Sequence, residues 1–292
     1  MIVTAMTTTL VFDRKLLAQR RRRARALGPE TFLLERVTQE LVERLAAVKR
    51  HFPLALDFGT PDILLSKALM TSGQVDELIT SEQVASDEEA LPFDEEKFDL
   101  VVSALSLQWV NDLPGTLLQI RRVLKSDGLL LAALIGGETL HELRESFAAA
   151  EAEITGGASP RVSPFAEVRS LGSLLQRAGY ALPVIDSDRH IVRYQNAFRL
   201  FQDLRRMGAT NALVERSRKP LTKRIVARAA EIYAGRFSDP DGRLRATFDV
   251  LWISGWAPHE SQQKPLKPGS AKTRLADALG VKEKSAGEKP GR

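Results

Sequence analysis

Asp57-Phe58-Gly59 follows a short apolar run, Leu54-Ala55-Leu56. An acid and a glycine in that position read as the end of a buried strand entering a tight turn. Open α/β sheets bind ligands at the carboxyl ends of their strands, so chemistry is expected at this turn first. Taken alone, Asp-x-Gly is also what an ordinary strand-end turn looks like. The basic run from Arg20 to Arg25 has the charge to contact phosphates or an acidic partner surface. The plainer reading is a solvated helix face or an arm packed on its own domain. No helix-turn-helix, finger or aromatic RNA platform accompanies the run, so nucleic acid is not expected as a partner. Four histidines, His51, His141, His190 and His259, are scattered along the chain and none forms His-x-Asp/Glu. A two-histidine, one-carboxylate iron site is therefore not suggested. Asp188-x-His190 is the reversed order and reads as a surface pair. His259 lies close after Trp256, where a structural hydrogen bond and a functional role are both open. With no cysteine in the sequence, thiolate metal sites, disulfides and a cysteine nucleophile drop out together. No metal is expected, and no catalytic residue is assigned.

The elements that would position the turn follow from periodicity. Helical spacing of Phe32, Leu33, Val37, Leu41, Leu45 and Val48 predicts a helix that ends before Pro53, with Gly28-Pro29 separating an earlier basic helix. Strands are expected at Leu54–Leu56, Val75–Ile79, Phe98–Ser103 and Gly128–Ile135. The helix between the last two carries Leu113, Leu117, Ile120 and Val123 and should close with a left-handed Gly128. Apolar strands joined through a helix imply parallel strands covered on both faces. Helices follow at Glu138–Ile154 and Phe165–Ala178, then a strand at Ala181–Tyr194. Residues 196–235 read as helical with breaks at Gly208 and Pro220, and residues 246–256 as the last strand. A short helix is possible at Thr273–Leu279. The expected division is an N-terminal helical arm (1–50), an α/β core (51–195), a helical cap (196–245), the final core strand (246–264) and a mobile basic tail (265–292).

The 292 residues, 43% hydrophobic and 27% charged with a net charge of +5, suit a soluble globular protein. The longest apolar run, Leu129–Ile135, is far short of the roughly 20 residues that cross a bilayer. No secretory leader is recognisable, so a cytoplasmic bacterial location is expected.

A second segment adds specificity. Asp87-Glu88-Glu89-Ala90-Leu91-Pro92-Phe93 runs into Phe98-Asp99-Leu100-Val101-Val102-Ser103, and a Leu124–Gly128 turn follows. This resembles the class I methyltransferase pattern, in which an acid before Leu-Pro-Phe meets the adenine amino group of S-adenosylmethionine (SAM). The likeness implies a Rossmann-like, doubly wound and mostly parallel α/β sheet with a helical insertion before the last strand. It implies SAM as cofactor and Asp57, Gly59, Asp87, Glu88 and Ser103 as its contacts. Phe12-Asp13-Arg14, Ser106-Leu107-Gln108-Trp109-Val110-Asn111-Asp112-Leu113-Pro114, Gly136-Gly137-Glu138-Thr139-Leu140-x-Glu142-Leu143-Arg144, Ser163-Pro164-Phe165 and Gly255-Trp256-x-x-His259-x-Ser261-Gln262 extend the likeness over nearly the whole chain. Together they resemble the family of the mitochondrial complex I assembly factor with a methyltransferase fold and its α-proteobacterial relatives. That family is similar in turn to the malonyl-carrier-protein methyltransferase of biotin synthesis.

The resemblance implies action on a protein substrate or partner, a complex I subunit, by methyl transfer or, as in the mitochondrial member, by arginine hydroxylation. The sequence departs from the pattern at the loop. Pro61 and Ile63 stand where the second and third glycines belong, and proline has no N–H to offer while Ile63 should crowd the next helix. The stretch from Asp57 to Leu91 is shorter than the family pattern, and only Glu82 is placed to replace the acid that holds the ribose. A non-enzymatic assembly factor that has lost SAM is therefore a third reading.

Overall fold

The computed structural model describes residues 10–80 and 91–263 and, near the C-terminus, 277, 280 and 281. The tail's possible helix at 273–279 and most of residues 265–292 lie outside them. Two helices open the described chain. Asp13 caps α1 (Arg14–Ala26) by accepting the Leu16 N–H at 3.0 Å. After Gly28, α2 (Phe32–Ala47) turns Val37, Leu41 and Leu45 into the core with no exposure at all. Each such burial is worth about 1.5–3 kcal/mol.

Six strands follow in one sheet: β1 (Phe52–Asp57), β2 (Val75–Thr80), β3 (Phe98–Ala104), β4 (Leu124–Ile135), β5 (Ala181–Tyr194) and β6 (Leu244–Trp256). Their spatial order is β2-β1-β3-β4-β6-β5. The first four are parallel, while β6 runs antiparallel to both β4 and β5. Strand alternation sorts the side chains between two faces. Leu100, Val102, Leu129, Leu131 and Ala133 face a layer built from α2, α3 (Leu64–Thr71), α5 (His141–Thr155), α7 (Ala197–Arg206) and α8 (Lys223–Phe237). Val101, Leu130, Ala132 and Leu134 face α4 (Leu113–Val123) and α6 (Val168–Arg177). This is the doubly wound, mostly parallel sheet expected from the sequence, with the helical insertion α7–α8 between β5 and β6. The chain divides into a compact unit, Met1–Pro258, and a small one, His259–Arg292.

Some boundaries differ from the sequence reading. The left-handed residue after α4 is Asp127 (φ 59°), not Gly128. Arg50 holds it there, its Nη1 donating to the Asp127 carboxylate and carbonyl at 2.8 Å each. Gly128 is needed for room instead, since a Cβ there would lie 2.9 Å from the Lys125 carbonyl oxygen. In the cap, residues 207–222 are not helical and form a loop between α7 and α8. Helices α5 and α6 begin three residues later than expected, at His141 and Val168, because Leu140 takes a left-handed conformation and Glu167 is extended.

Candidate functional site

β1 ends at Asp57, whose carboxylate is 2% exposed and accepts from Ser66 Oγ at 3.2 Å. The chain then folds down onto β3. Phe58 N–H donates to the Val102 carbonyl at 2.7 Å, and Gly59 follows with φ 70°. Thr60 Oγ1 accepts the Ala104 N–H at 3.1 Å, and Ser103 Oγ donates to the Phe58 carbonyl at 2.7 Å. Asp62 then accepts the Leu64 N–H and starts α3. Ile63 does not crowd that helix as the sequence suggested: its side chain is 55% exposed and points outward.

These contacts decide how well the turn suits an adenosyl cofactor. Ser103 is fully buried with its hydroxyl committed to Phe58, and Asp57 is almost fully buried. Thr60 is committed to Ala104, and Pro61 brings no N–H. The described part of the loop therefore fits SAM poorly. Asp87, Glu88 and Glu82 lie outside the described residues. The segment that follows them is pinned by Arg122, whose Nη1 and Nη2 donate to the Phe93 and Leu91 carbonyls at 2.9 Å each.

A cavity of about 800 Å³ opens beside this turn, within the range of small-molecule sites. Pro61 and Asp62 after β1, Leu105 after β3 and Ile135 at the end of β4 line it, so it lies at the carboxyl ends of three adjacent parallel strands. Leu33 and Leu34 of α2, Leu143 and Phe147 of α5, and Phe248 of β6 give it an apolar interior. Leu105 and Leu140 line it too, both left-handed at φ 53°. Such backbone is costly for leucine and tends to gather at functional sites. Hydrogen bonds from Leu105 N–H to the Ala133 carbonyl and from Leu140 N–H to the Thr247 carbonyl, each 2.8 Å, hold the two in place.

The segment Gly136–Arg144 works as a seam rather than as a source of reactive groups. Thr139 Oγ1 accepts the Asp249 N–H at 2.9 Å. Glu142, 3% exposed, accepts from Thr247 Oγ1 at 2.6 Å and from Thr247 N–H at 3.2 Å. Together they fasten the start of α5 to β6.

Phe12-Asp13-Arg14 lie on the chain leading into α1, whose arginines line the cavity. Asn111 Oδ1 accepts the N–H groups of Val11 and Phe12 at 2.9 and 2.7 Å, and Asn111 Nδ2 donates to the Phe12 carbonyl at 3.2 Å. Arg14 Nη1 donates to the Trp109 carbonyl at 3.0 Å. On the other side, Asp13 N–H donates to the Ala212 carbonyl and Val214 N–H to the Val11 carbonyl. Asp13 also pairs with Arg216 at 3.2 Å. Residues 11–13 thus form a strap between the loop after β3 and the cap loop, and α1 is carried across the cavity.

Metal-type chemistry finds no cluster: among the described residues, no three of His, Cys, Asp and Glu are gathered so as to hold an ion. His190 Nε2 stands 3.3 Å from Asp188 on β5, and His51 pairs with Asp76 on the surface. His259 Nδ1 lies 2.7 Å from Ser261 Oγ within a local turn.

A family model for methyltransferase domains matches residues 54–132. The mitochondrial arginine-hydroxylase NDUFAF5 of Danio rerio is 39% identical, over 91% of this chain and 89% of that protein. The human protein of the same name is 40% identical, over 92% and 83%. The malonyl-[acyl-carrier protein] O-methyltransferase of Halorhodospira halophila is 32% identical, over 78% and 82%. Among solved structures, the YcgJ protein of Bacillus subtilis aligns with a TM-score of 0.47 at 14% identity, over 76% of this chain and 99% of that one. That likeness is too loose to add to the sheet order seen directly.

Proposed function

The chain belongs to the family of the arginine-hydroxylase NDUFAF5, built on the methyltransferase fold, and on that premise we propose that it serves respiratory complex I assembly by acting on a protein substrate in the bacterial cytoplasm. The observation that carries this is the extent of the match: 39% and 40% identity over 91% and 92% of this chain. Among the described residues no helix is long and apolar enough to cross a membrane. Activity as a SAM-dependent methyltransferase is the reading that the fold supports. Hydroxylation of an arginine, the reaction in the relatives' name, is its alternative. The test is to delete the gene in its host and measure assembled complex I. Loss of the complex, restored by the chain, supports the proposal. Normal assembly without it sinks the proposal.

A specific observation favours a second reading, a partner-binding protein that has lost its cofactor. Thr60, Pro61 and Ser103 leave the turn after β1 with little to offer SAM. Calorimetric titration with SAM and S-adenosylhomocysteine, with Asp87→Ala as control, separates the readings. Micromolar binding that the substitution abolishes restores catalysis, and mass spectrometry of the substrate then distinguishes a gained methyl group from a gained oxygen. No binding at millimolar cofactor leaves the partner-binding reading.

A further inference from the structure

The segment Ser106–Pro114 works structurally at several of its positions. Trp109 packs on Phe12, Asn111 holds the strap, and Asp112 caps α4 by accepting the Gly115 N–H at 2.9 Å. Gln108 is different. It sits on the single 3-10 turn Leu107–Trp109 that follows β3, and its half-buried side chain lines the cavity.

The orientation of its amide follows from chemistry. Nε2 donates to the Leu105 carbonyl at 2.8 Å. A carbonyl oxygen only accepts, so the amide nitrogen belongs on that side and the oxygen on the other. Oε1 is shut off from solvent and has no hydrogen-bond partner among the described residues. Buried acceptors left unmet are rare in native proteins and call for a cause. The carbonyl that holds the amide belongs to Leu105, whose backbone is left-handed at φ 53°. Two unfavourable features thus stand side by side on the wall of one cavity, which is how functional sites collect them.

The surroundings indicate what would meet the acceptor. Leu34, Ile135, Leu143 and Phe147 line the same cavity and are apolar. The acids of the described lining are engaged: Glu30 pairs with Arg206 at 3.3 Å, and Asp62 accepts the Leu64 N–H. The described lining therefore combines an apolar interior with a neutral acceptor that lacks a donor.

We propose that Gln108 is a positioning residue for the ligand of this cavity: its Oε1 accepts an N–H at the end of an alkyl stem that lies among Leu34, Leu143 and Phe147. The terminal torsion of a glutamine is soft, so a modest turn of the amide presents Oε1 to the cavity. An amide and a guanidinium on such a stem offer the same N–H chemistry, and both occur as side chains of a protein. The inference deepens the reading of a protein substrate and rests on it only for where the N–H comes from.

Calorimetric titration of the full chain tests it, with paired probes that keep the stem and differ in whether the head carries N–H. Hexanamide is compared with N,N-dimethylhexanamide, and pentylguanidinium with pentyltrimethylammonium. The N–H member of at least one pair should bind about tenfold more tightly than its blocked partner, the scale of one net hydrogen bond, and the pair that does so identifies the head group. Gln108→Met keeps the length of the side chain without the acceptor. It should bring that pair within about twofold while the blocked probe keeps its affinity. Gln108→Glu retains an acceptor, so it should keep the preference, and it decides the matter should the methionine variant fold badly. A role confined to holding the Leu105 carbonyl would instead weaken N–H and blocked probes alike. Equal binding within both pairs, a preference that survives Gln108→Met or disappears in Gln108→Glu, or no binding of any probe overturns the proposal. Complex I assembly is measured separately: normal assembly without the gene sinks the protein-substrate reading and leaves this binding result standing, and failure here leaves assembly untouched.

Discussion

Phe12 stands edge-on to Trp109, with ring centroids 5.3 Å apart and planes inclined by 70°. They stand ninety-seven positions apart in the sequence, and both rings are nearly buried, at 5% and 7% exposure. The pair joins the N-terminal strap to the loop that follows β3, and Leu17, Ala212 and Leu213 complete a small core separate from those of the sheet. Because α1 begins two residues after Phe12, this small core sets where the arginines of α1 lie relative to the cavity.

Replacing Phe12 by alanine should therefore cost about 3 kcal/mol of stability, the lower end for a buried phenylalanine, since the strap lies at an edge. Denaturant unfolding measures this, and Trp109 emission should shift before the global transition as the strap releases. Phe12→Leu should recover most of the loss. A change under about 0.5 kcal/mol for the alanine variant would mean that the strap is not anchored by this ring.

Asn111→Leu keeps the side chain's bulk but removes the acceptor shared by the Val11 and Phe12 N–H groups. The expected cost is about 1–3 kcal/mol, because the Phe12 amide is left without a partner in a half-buried place. Hydrogen exchange provides the local check. Amides of residues 11–13 should exchange faster while those of β3 stay protected, and unchanged exchange at Phe12 counts against the assignment.

Much of the fold was legible because it is local. The strand expected at Ala181–Tyr194 has the same ends as β5, and the break at Gly28-Pro29 separates α1 from α2 as expected. Gly128 misled because turn chemistry was read from residue type alone, whereas Arg50, far away in sequence, stabilises the left-handed Asp127. The site was less legible. Asp57, Gly59 and Ser103 lie at the carboxyl edge of the sheet, where Ser103 Oγ donates to the Phe58 carbonyl and Asp57 accepts from Ser66 Oγ. That arrangement depends on Thr60 and Ser66, which no motif singled out. Arg122 and the cap-loop cations were missed for the same reason: periodicity carries no information about partners 30 to 200 residues away.

Asp13 should make the strap sensitive to acid. The Leu16 N–H, followed by the Arg216 side chain, holds its carboxyl below the ordinary 3.8, with burial opposing. A carboxyl lowered by folding contributes stability that is present above its unfolded value and is lost as pH falls through the folded one. Asp13→Asn should thus be less stable than the parent at about pH 7, and the difference should vanish near about pH 2. Denaturation curves at the two pH values decide it, and a difference that persists in acid would falsify the linkage to this carboxyl.

Gly208 tests how tightly α1 is held against the cap. Its φ is 69°, and a Cβ there would come within 3.1 Å of Arg21 Cα, so alanine meets both left-handed strain and the α1 backbone. Gly156, at φ 75° after α5, has nothing within 4 Å and carries the strain alone. Gly156→Ala should therefore cost about 1 kcal/mol. Gly208→Ala should cost more by the price of shifting α1, about another 1–2 kcal/mol on the scale of an overpacked contact. Equal stability losses in the two variants would show that α1 and the cap loop yield freely at this contact.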